Sequence, residues 1–243
     1  VRVRPFKFIS TFCIAVLLCN SVFLQSAHAE SELGTSAGRQ SVEFYRSQPY
    51  EAYLDSHKGA VYPKTEIKIN AVEQLVENED SNYEIIENLD NKKCVATKES
   101  GSVTFSFDVA QAGFYYMKIV YYPTLGKGAQ IERSLYIDGE LPFEEARSII
   151  FHRRWVDVGE VEYSVTGNEY RREQEEQPEW DTFTVKSNGS NLDEYLKFYF
   201  SSGTHTITLK SVNEPMAISE IILCQLEEPK PYQEVLKGYR AAG

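Results

Sequence analysis

Residues 102–109 alternate strictly, with Val103, Phe105, Phe107 and Val109 on one parity and Thr104, Ser106 and Asp108 on the other. A period of two sends successive side chains to opposite faces of a strand, so this segment offers one face to a core and one to water. After Gln111-Ala112-Gly113 follows 114–122, a run so aromatic and branched that both of its faces must be covered. Residues 131–137 alternate again and stop at Asp138-Gly139, a tight-turn signal. Segments 195–200 and 204–209 flank Ser201-Ser202-Gly203 as a hairpin, 65–70 alternates as a strand, and 216–226 reads as the last one. Strands joined by turns, with no helical repeats between them, predict an antiparallel sandwich rather than a parallel sheet. The predicted core is Val103, Phe105, Phe107, Tyr115, Met117, Ile119, Leu135, Ile137, Leu196, Phe198, Ile207, Leu209 and Ile221.

The ends of the chain read differently. Arg2, Arg4 and Lys7 precede an apolar run from residue 8 to residue 24, which closes on Ala27-His28-Ala29. That pattern predicts a secretory signal peptide over residues 1–29, cleaved before Glu30. Ser10, Thr11, Asn20 and Ser21 interrupt the run, which argues against a membrane span. Lipid attachment at Cys19 is the alternative, with Leu18 standing where a small residue is wanted. A flexible leader and a short helix are expected over 30–63, the helix at 47–57 with Ser47 as N-cap, forming a clasp outside the main core. The sandwich is expected over 64–226 and a helical tail over 227–243.

Removing residues 1–29 takes away three basic residues and no acid, so the net charge moves from −11 to −14. Such a surface argues against nucleic acid as a partner. Cys94 and Cys224 remain as an even pair in an oxidising compartment. A bridge between them would close a loop of about 130 residues, with stabilisation of about 4–5 kcal/mol in the chain-entropy account. The alternative is two buried free thiols.

No pair of histidines has metal-ligand spacing, and there is no zinc knuckle, nucleophile elbow, phosphate-binding loop or EF-type calcium loop. Glu144/Glu145 and Glu175/Glu176 are adjacent rather than facing, so they do not supply a glycosidase pair. A non-enzyme is expected, with no catalytic residue and no assigned metal. What remains is recognition. Sugar rings lay flat C–H faces on aromatic planes, and their hydroxyls suit planar donors. The long irregular segment 140–182 joins Arg147, Arg153, Arg154, Trp155 and Trp180, and Tyr122 ends the strand beside it. These six are the candidate ligand contacts. Against this stands a plainer reading, with tryptophans as loop anchors and arginines in salt bridges, and on either reading 157–181 is expected to be the most mobile part of the domain after its termini.

The succession of 101–109, Ala112-Gly113 with 114–122, Leu135-Tyr-Ile-Asp-Gly139, 196–209 and 218–223 resembles the non-catalytic carbohydrate-binding modules of the galactose-binding-like superfamily. That resemblance implies an all-β, antiparallel jelly-roll β-sandwich with short flanking helices. Residues 132–147 with Arg154-Trp155 are similar to the amino-terminal region of large extracellular solute-binding proteins of sugar ABC transporters in Gram-positive bacteria. This implies oligosaccharide or polysaccharide as ligand, ABC transporter components as partners, and a secreted, cell-surface location. In those proteins a two-lobed part follows, so the chain is expected to be a fragment, a truncated product or a free-standing module. Related modules hold a structural calcium, for which Glu73 and Glu220 are the loose candidates. The alternative function is a docking module that contacts a partner protein or solute-binding domain without binding sugar.

Overall fold

The computed structural model describes residues 47–188 and 194–226, together with Tyr232 and Leu236. The chain divides into two units, residues 1–47 and 48–243, and the elements below all belong to the second. The expected signal peptide and leader lie outside the described residues. So does nearly all of the tail, of which Tyr232 and Leu236 are helical. No described helix is long and apolar enough to cross a membrane.

Residues Gly113–Pro123 form β6 and Met216–Cys224 form β14, paired antiparallel along almost their whole length. On its other edge β6 carries two short strands end to end, Asp181–Thr184 (β11) and Lys197–Phe200 (β12). The far edge of β14 likewise takes Ile67–Asn70 (β1) and Lys92–Thr97 (β4), and β4 pairs with Tyr83–Leu89 (β3). These seven strands make one sheet. The facing sheet has five, in the order Leu75–Val76 (β2), Ser102–Val109 (β5), Gly203–Asn213 (β13), Ile131–Ile137 (β7) and Ile149–Phe151 (β8). The strands named here all pair antiparallel. The fold is an all-β antiparallel sandwich of the jelly-roll kind.

The alternation in β5 does what its period predicts: Val103, Phe105, Phe107 and Val109 are buried between the sheets. Tyr115, Met117, Ile119 and Tyr121 of β6 meet them from the other side, with Leu135, Phe198, Ile207, Leu209 and Ile221. Of the predicted core, Ile137 alone is only partly buried. Asp138 and Gly139 both take positive φ (52° and 81°), and Ile137 and Glu140 exchange two backbone hydrogen bonds across the turn.

The helix departs from expectation. It spans Tyr50–Ser56 (α1), with Pro49 rather than Ser47 at the cap position and no side-chain cap. The Tyr50 N–H instead donates to the Glu145 carboxylate at 3.0 Å, a partner 95 residues away. Nor is α1 a clasp outside the core: Tyr50 and Tyr53 are buried in it. Their hydroxyls accept from the backbone N–H groups of Lys197 (2.8 Å) and Tyr199 (2.7 Å). Among the described residues β12 pairs only with β6, so two tyrosines satisfy an edge that another strand would otherwise find open. Residues 142–150 resolve into a 3₁₀ turn, Glu144–Arg147, followed by β8.

Cys94 and Cys224 are free and buried, which corrects the expected bridge. Ile218 of β14 stands opposite Val95, so Cys224 lies several residues beyond the level of Cys94. At about 3.3 Å per residue that is on the order of 15 Å, against the roughly 7 Å ceiling for a disulfide. Burial holds both thiols above their ordinary range.

Two outcomes follow from the packing. Ile119→Ala leaves a cavity under β6 and is expected to cost about 2–5 kcal/mol in chemical denaturation. Burial pushes the Tyr53 and Tyr121 hydroxyls up to about 12 from 10.0, and raises Tyr50 further. The unfolded chain loses these protons near pH 10 while the native state keeps them, so stability is full below pH 10 and falls as pH rises toward 12. Tyr53→Phe should flatten that decline in denaturation measured across this window.

Candidate functional site

Residues Trp155–Val158 (β9) and Glu173–Glu176 (β10) pair as a separate two-stranded sheet. The ladder resumes toward the tip, where Tyr163 bridges Glu169 and Ser164 donates to the Asn168 carbonyl at 2.7 Å. The segment expected as an irregular loop is therefore largely one β-hairpin. Its charges hid the pattern: Glu173, Gln174, Glu175 and Glu176 show no apolar parity, yet cross-strand bonds such as Gln174 to Asp157 at 2.9 Å hold it.

At the base of the hairpin Arg153 is buried, its side chain 3% exposed. Its guanidinium donates to Glu176 at 2.5 Å and to Glu214 at 2.9 Å. It also donates to the carbonyls of Ala129 (2.9 Å) and Thr124 (3.1 Å). Glu214 sits in the tight turn from β13 to β14 at φ 60°, and its second role is to accept from the Lys127 N–H at 2.8 Å. Loop 124–130 is thus clamped from both sides. Glycine is required at its crest, because a Cβ on Gly126 would fall 2.1 Å from Glu214 Oε2. Two residues on, a Cβ on Gly128 would lie 3.4 Å from Trp155 Cη2. The indole therefore rests its edge on the bare backbone of the loop, and Trp155 is 44% exposed.

A second arginine supports the same turn from below. Arg133 is fully buried and donates to the carbonyls of Asn213 (2.9 Å) and Glu132 (2.8 Å) and to the Thr97 hydroxyl (2.8 Å). Burial lowers its pKa to about 10. The signal for it was available: Arg133 has the same parity as Ile131 and Leu135, the inward positions of β7.

The other candidates separate. Trp180 is an anchor on the outer face of the seven-stranded sheet, over the small residues Cys94, Ala96 and Ala217. Its Nε1–H donates to the Leu89 carbonyl at 2.9 Å, Lys92 Nζ lies 5.0 Å from its ring centre, and Tyr122 packs at 5.4 Å. It pins the β3–β4 turn down onto the sheet. Arg154 is exposed and ion-paired with Glu179. Arg147 ends the 3₁₀ turn before β8, whereas Arg153 follows β8, so a strand's length separates them. The structure brings together Arg153 with Trp155, and Tyr122 with Trp180, but not the six as one surface. Glu73 and Glu220 flank Asn70, whose side chain accepts from the Glu73 N–H at 3.2 Å. Among the described residues no group of three or more His, Cys, Asp or Glu could hold a metal.

No family model matches this chain, and no curated protein matches it. Among solved structures it is similar to a family 35 carbohydrate binding module from Clostridium thermocellum, at 12% identity and a TM-score of 0.41 over 67% of this chain and 99% of that one. It is also similar to a CBM36-1 domain of a xylanase from the hindgut metagenome of Trinervitermes trinervoides, at 12% identity and TM-score 0.37 over 68% and 100%. A cycloisomaltooligosaccharide glucanotransferase from Paenibacillus sp. aligns at 19% identity and TM-score 0.36, over 73% of this chain and 23% of that one. Likenesses this distant say nothing of ligand or site, and the fold stands on this chain's own sheets.

The two neighbouring arginines should respond oppositely to truncation. Arg153→Ala leaves Glu214 and Glu176 without their buried partner and is expected to cost about 3–5 kcal/mol. Arg154→Ala removes an exposed pair and should change stability by at most about 1 kcal/mol in the same denaturation assay.

Proposed function

We propose that the sandwich is a non-catalytic carbohydrate-binding module and that Trp155 is the platform of its binding edge. One observation carries this reading: an indole 44% exposed, backed by the bare backbone of Gly128, on a loop that Arg153 and Glu214 hold rigid. A plane fixed before the ligand arrives loses little entropy on binding, and a pyranose ring stacks on it through its C–H face. Arg153 is spent on the frame, so the hydroxyl contacts fall to exposed neighbours such as Arg154 and Lys127. No cofactor enters. The wider setting proposed is the surface of a Gram-positive cell, with oligosaccharide or polysaccharide handed to an ABC transporter for sugar.

A docking module for a partner protein is the second reading, and the hairpin tip favours it. Tyr163, Val165 and Tyr170 are exposed there, Val165 completely. The two readings separate by experiment. A glycan array with the full chain selects a ligand, and calorimetric titration of Trp155→Ala against it should show a loss of about 1–3 kcal/mol with the melting temperature barely moved. Unchanged affinity in that variant would remove Trp155 from the site. An array without any bound glycan would leave the docking reading in its place.

A further inference from the structure

The outer face of the five-stranded sheet is built from hydroxyls. Ser102, Thr104 and Ser106 of β5 stand opposite Lys210, Thr208 and Thr206 of β13, and Tyr136 of β7 stands opposite Thr208. Across this face runs a groove of about 360 Å³, at the small end of the range for ligand pockets. One wall is the loop after β2. Its Asn78 is locked: the side chain donates to Thr104 (2.7 Å) and accepts from Ser102 (3.1 Å) and from the Asp80 N–H (3.0 Å). The locked loop presents Glu79 and Asp80, both exposed, and neither carboxylate has an ion pair among the described residues. Tyr136 and Lys210 line the groove beyond Ser102 and Thr208. From β5 across β13 to β7 is two strand spacings, about 10 Å, which suits one or two sugar rings.

We propose that this groove is a second saccharide site, separate from the Trp155 edge, and that it takes a pyranose carrying a free ammonium: an amino sugar. The proposal rests on the saccharide reading only for the general class of ligand and uses no residue of that edge. Two uncommitted carboxylates on a rigid wall favour an ammonium through charge-assisted hydrogen bonds and disfavour a uronate. The Tyr136 ring, across the groove from that wall, supplies a stacking face. Lys210 stands opposite Ser102 in the floor of the groove and donates to ring hydroxyls.

The test uses the full chain, with the hexamers of glucosamine and of N-acetylglucosamine as probes and hexalysine as a polycation control, each followed by calorimetry and by amide shifts in NMR. The glucosamine hexamer is expected to bind best, to shift Tyr136, Thr208 and Lys210, and to weaken with salt. Tyr136→Ala, and Glu79→Gln with Asp80→Asn, should each lower its affinity by about tenfold or more. Equal binding of hexalysine, or binding that survives Tyr136→Ala, would overturn the groove as a sugar site. Equal binding of the acetylated hexamer would overturn the ammonium. If Trp155→Ala alone abolishes binding, the groove fails while the edge reading stands. If the groove variants alone abolish it and no glycan perturbs Trp155, the groove stands and the edge reading fails.

Discussion

The pairing of β6 with β14 is the constraint on which the other strands depend. Each is long enough to carry two shorter strands on its free edge, so the seven-stranded sheet is assembled around one central ladder. Its inner face, Tyr115, Met117, Ile119, Tyr121, Ile218, Ile221 and Leu223, closes the sandwich core. The outer face is covered at both ends, while Tyr116 and Lys118 between them are only partly buried. At one end Phe114 lies among Tyr53, Tyr62 and Tyr199; at the other Tyr122 meets Trp180. A strand buried on both sides cannot slip by one residue without exchanging its two apolar sets, and each set here has its own complementary neighbours.

Buried charge fixes the loops that the sheets leave free. Arg153 and Glu214 are almost fully withdrawn from water, at 3% and 1% side-chain exposure. Desolvating them is costly, and their pairing only roughly offsets that cost, so the return is in specificity rather than stability. One guanidinium joins four partners from three segments: Glu176 on the hairpin, Thr124 and Ala129 on the loop, and Glu214 on the β13–β14 turn. Arg133 grips the carbonyl before that turn and the Thr97 hydroxyl of β4, tying both sheets to the same point. The exposed indole of Trp155 inherits its orientation from this frame.

The outer faces of the two sheets differ in kind. The seven-stranded sheet spends its outer aromatics on anchoring, with α1 at one end and the β3–β4 turn at the other. On the five-stranded sheet the outer hydroxyls bond one another, Thr208 to the buried Thr104 at 2.8 Å. At one end of it His205 ties the two turns together, through Asp138 at 2.7 Å and the Ser201 carbonyl at 3.0 Å.

Periodicity by itself determined the core strands, because alternation within 102–109 and 131–137 and the two-sided run at 114–122 are local properties that burial then rewards. The Asp138-Gly139 turn was equally local, since only residues tolerant of positive φ close a two-residue hairpin. Partners distant in sequence were decided by the tertiary structure alone. Whether Trp180 is a ligand platform or an anchor depends on the small residues Ala96 and Ala217 beneath it, and on a carbonyl 91 residues away. Whether Arg153 faces solvent or a buried pair depends on Glu214, 61 residues on, reached only after β13 has run the length of the five-stranded sheet. Cys94 and Cys224 both lie in the seven-stranded sheet, and only strand register separates them. Period is written into neighbouring residues, whereas register and contact arise when the chain closes on itself, which is why the folded structure and not the sequence set the chemistry of the edge.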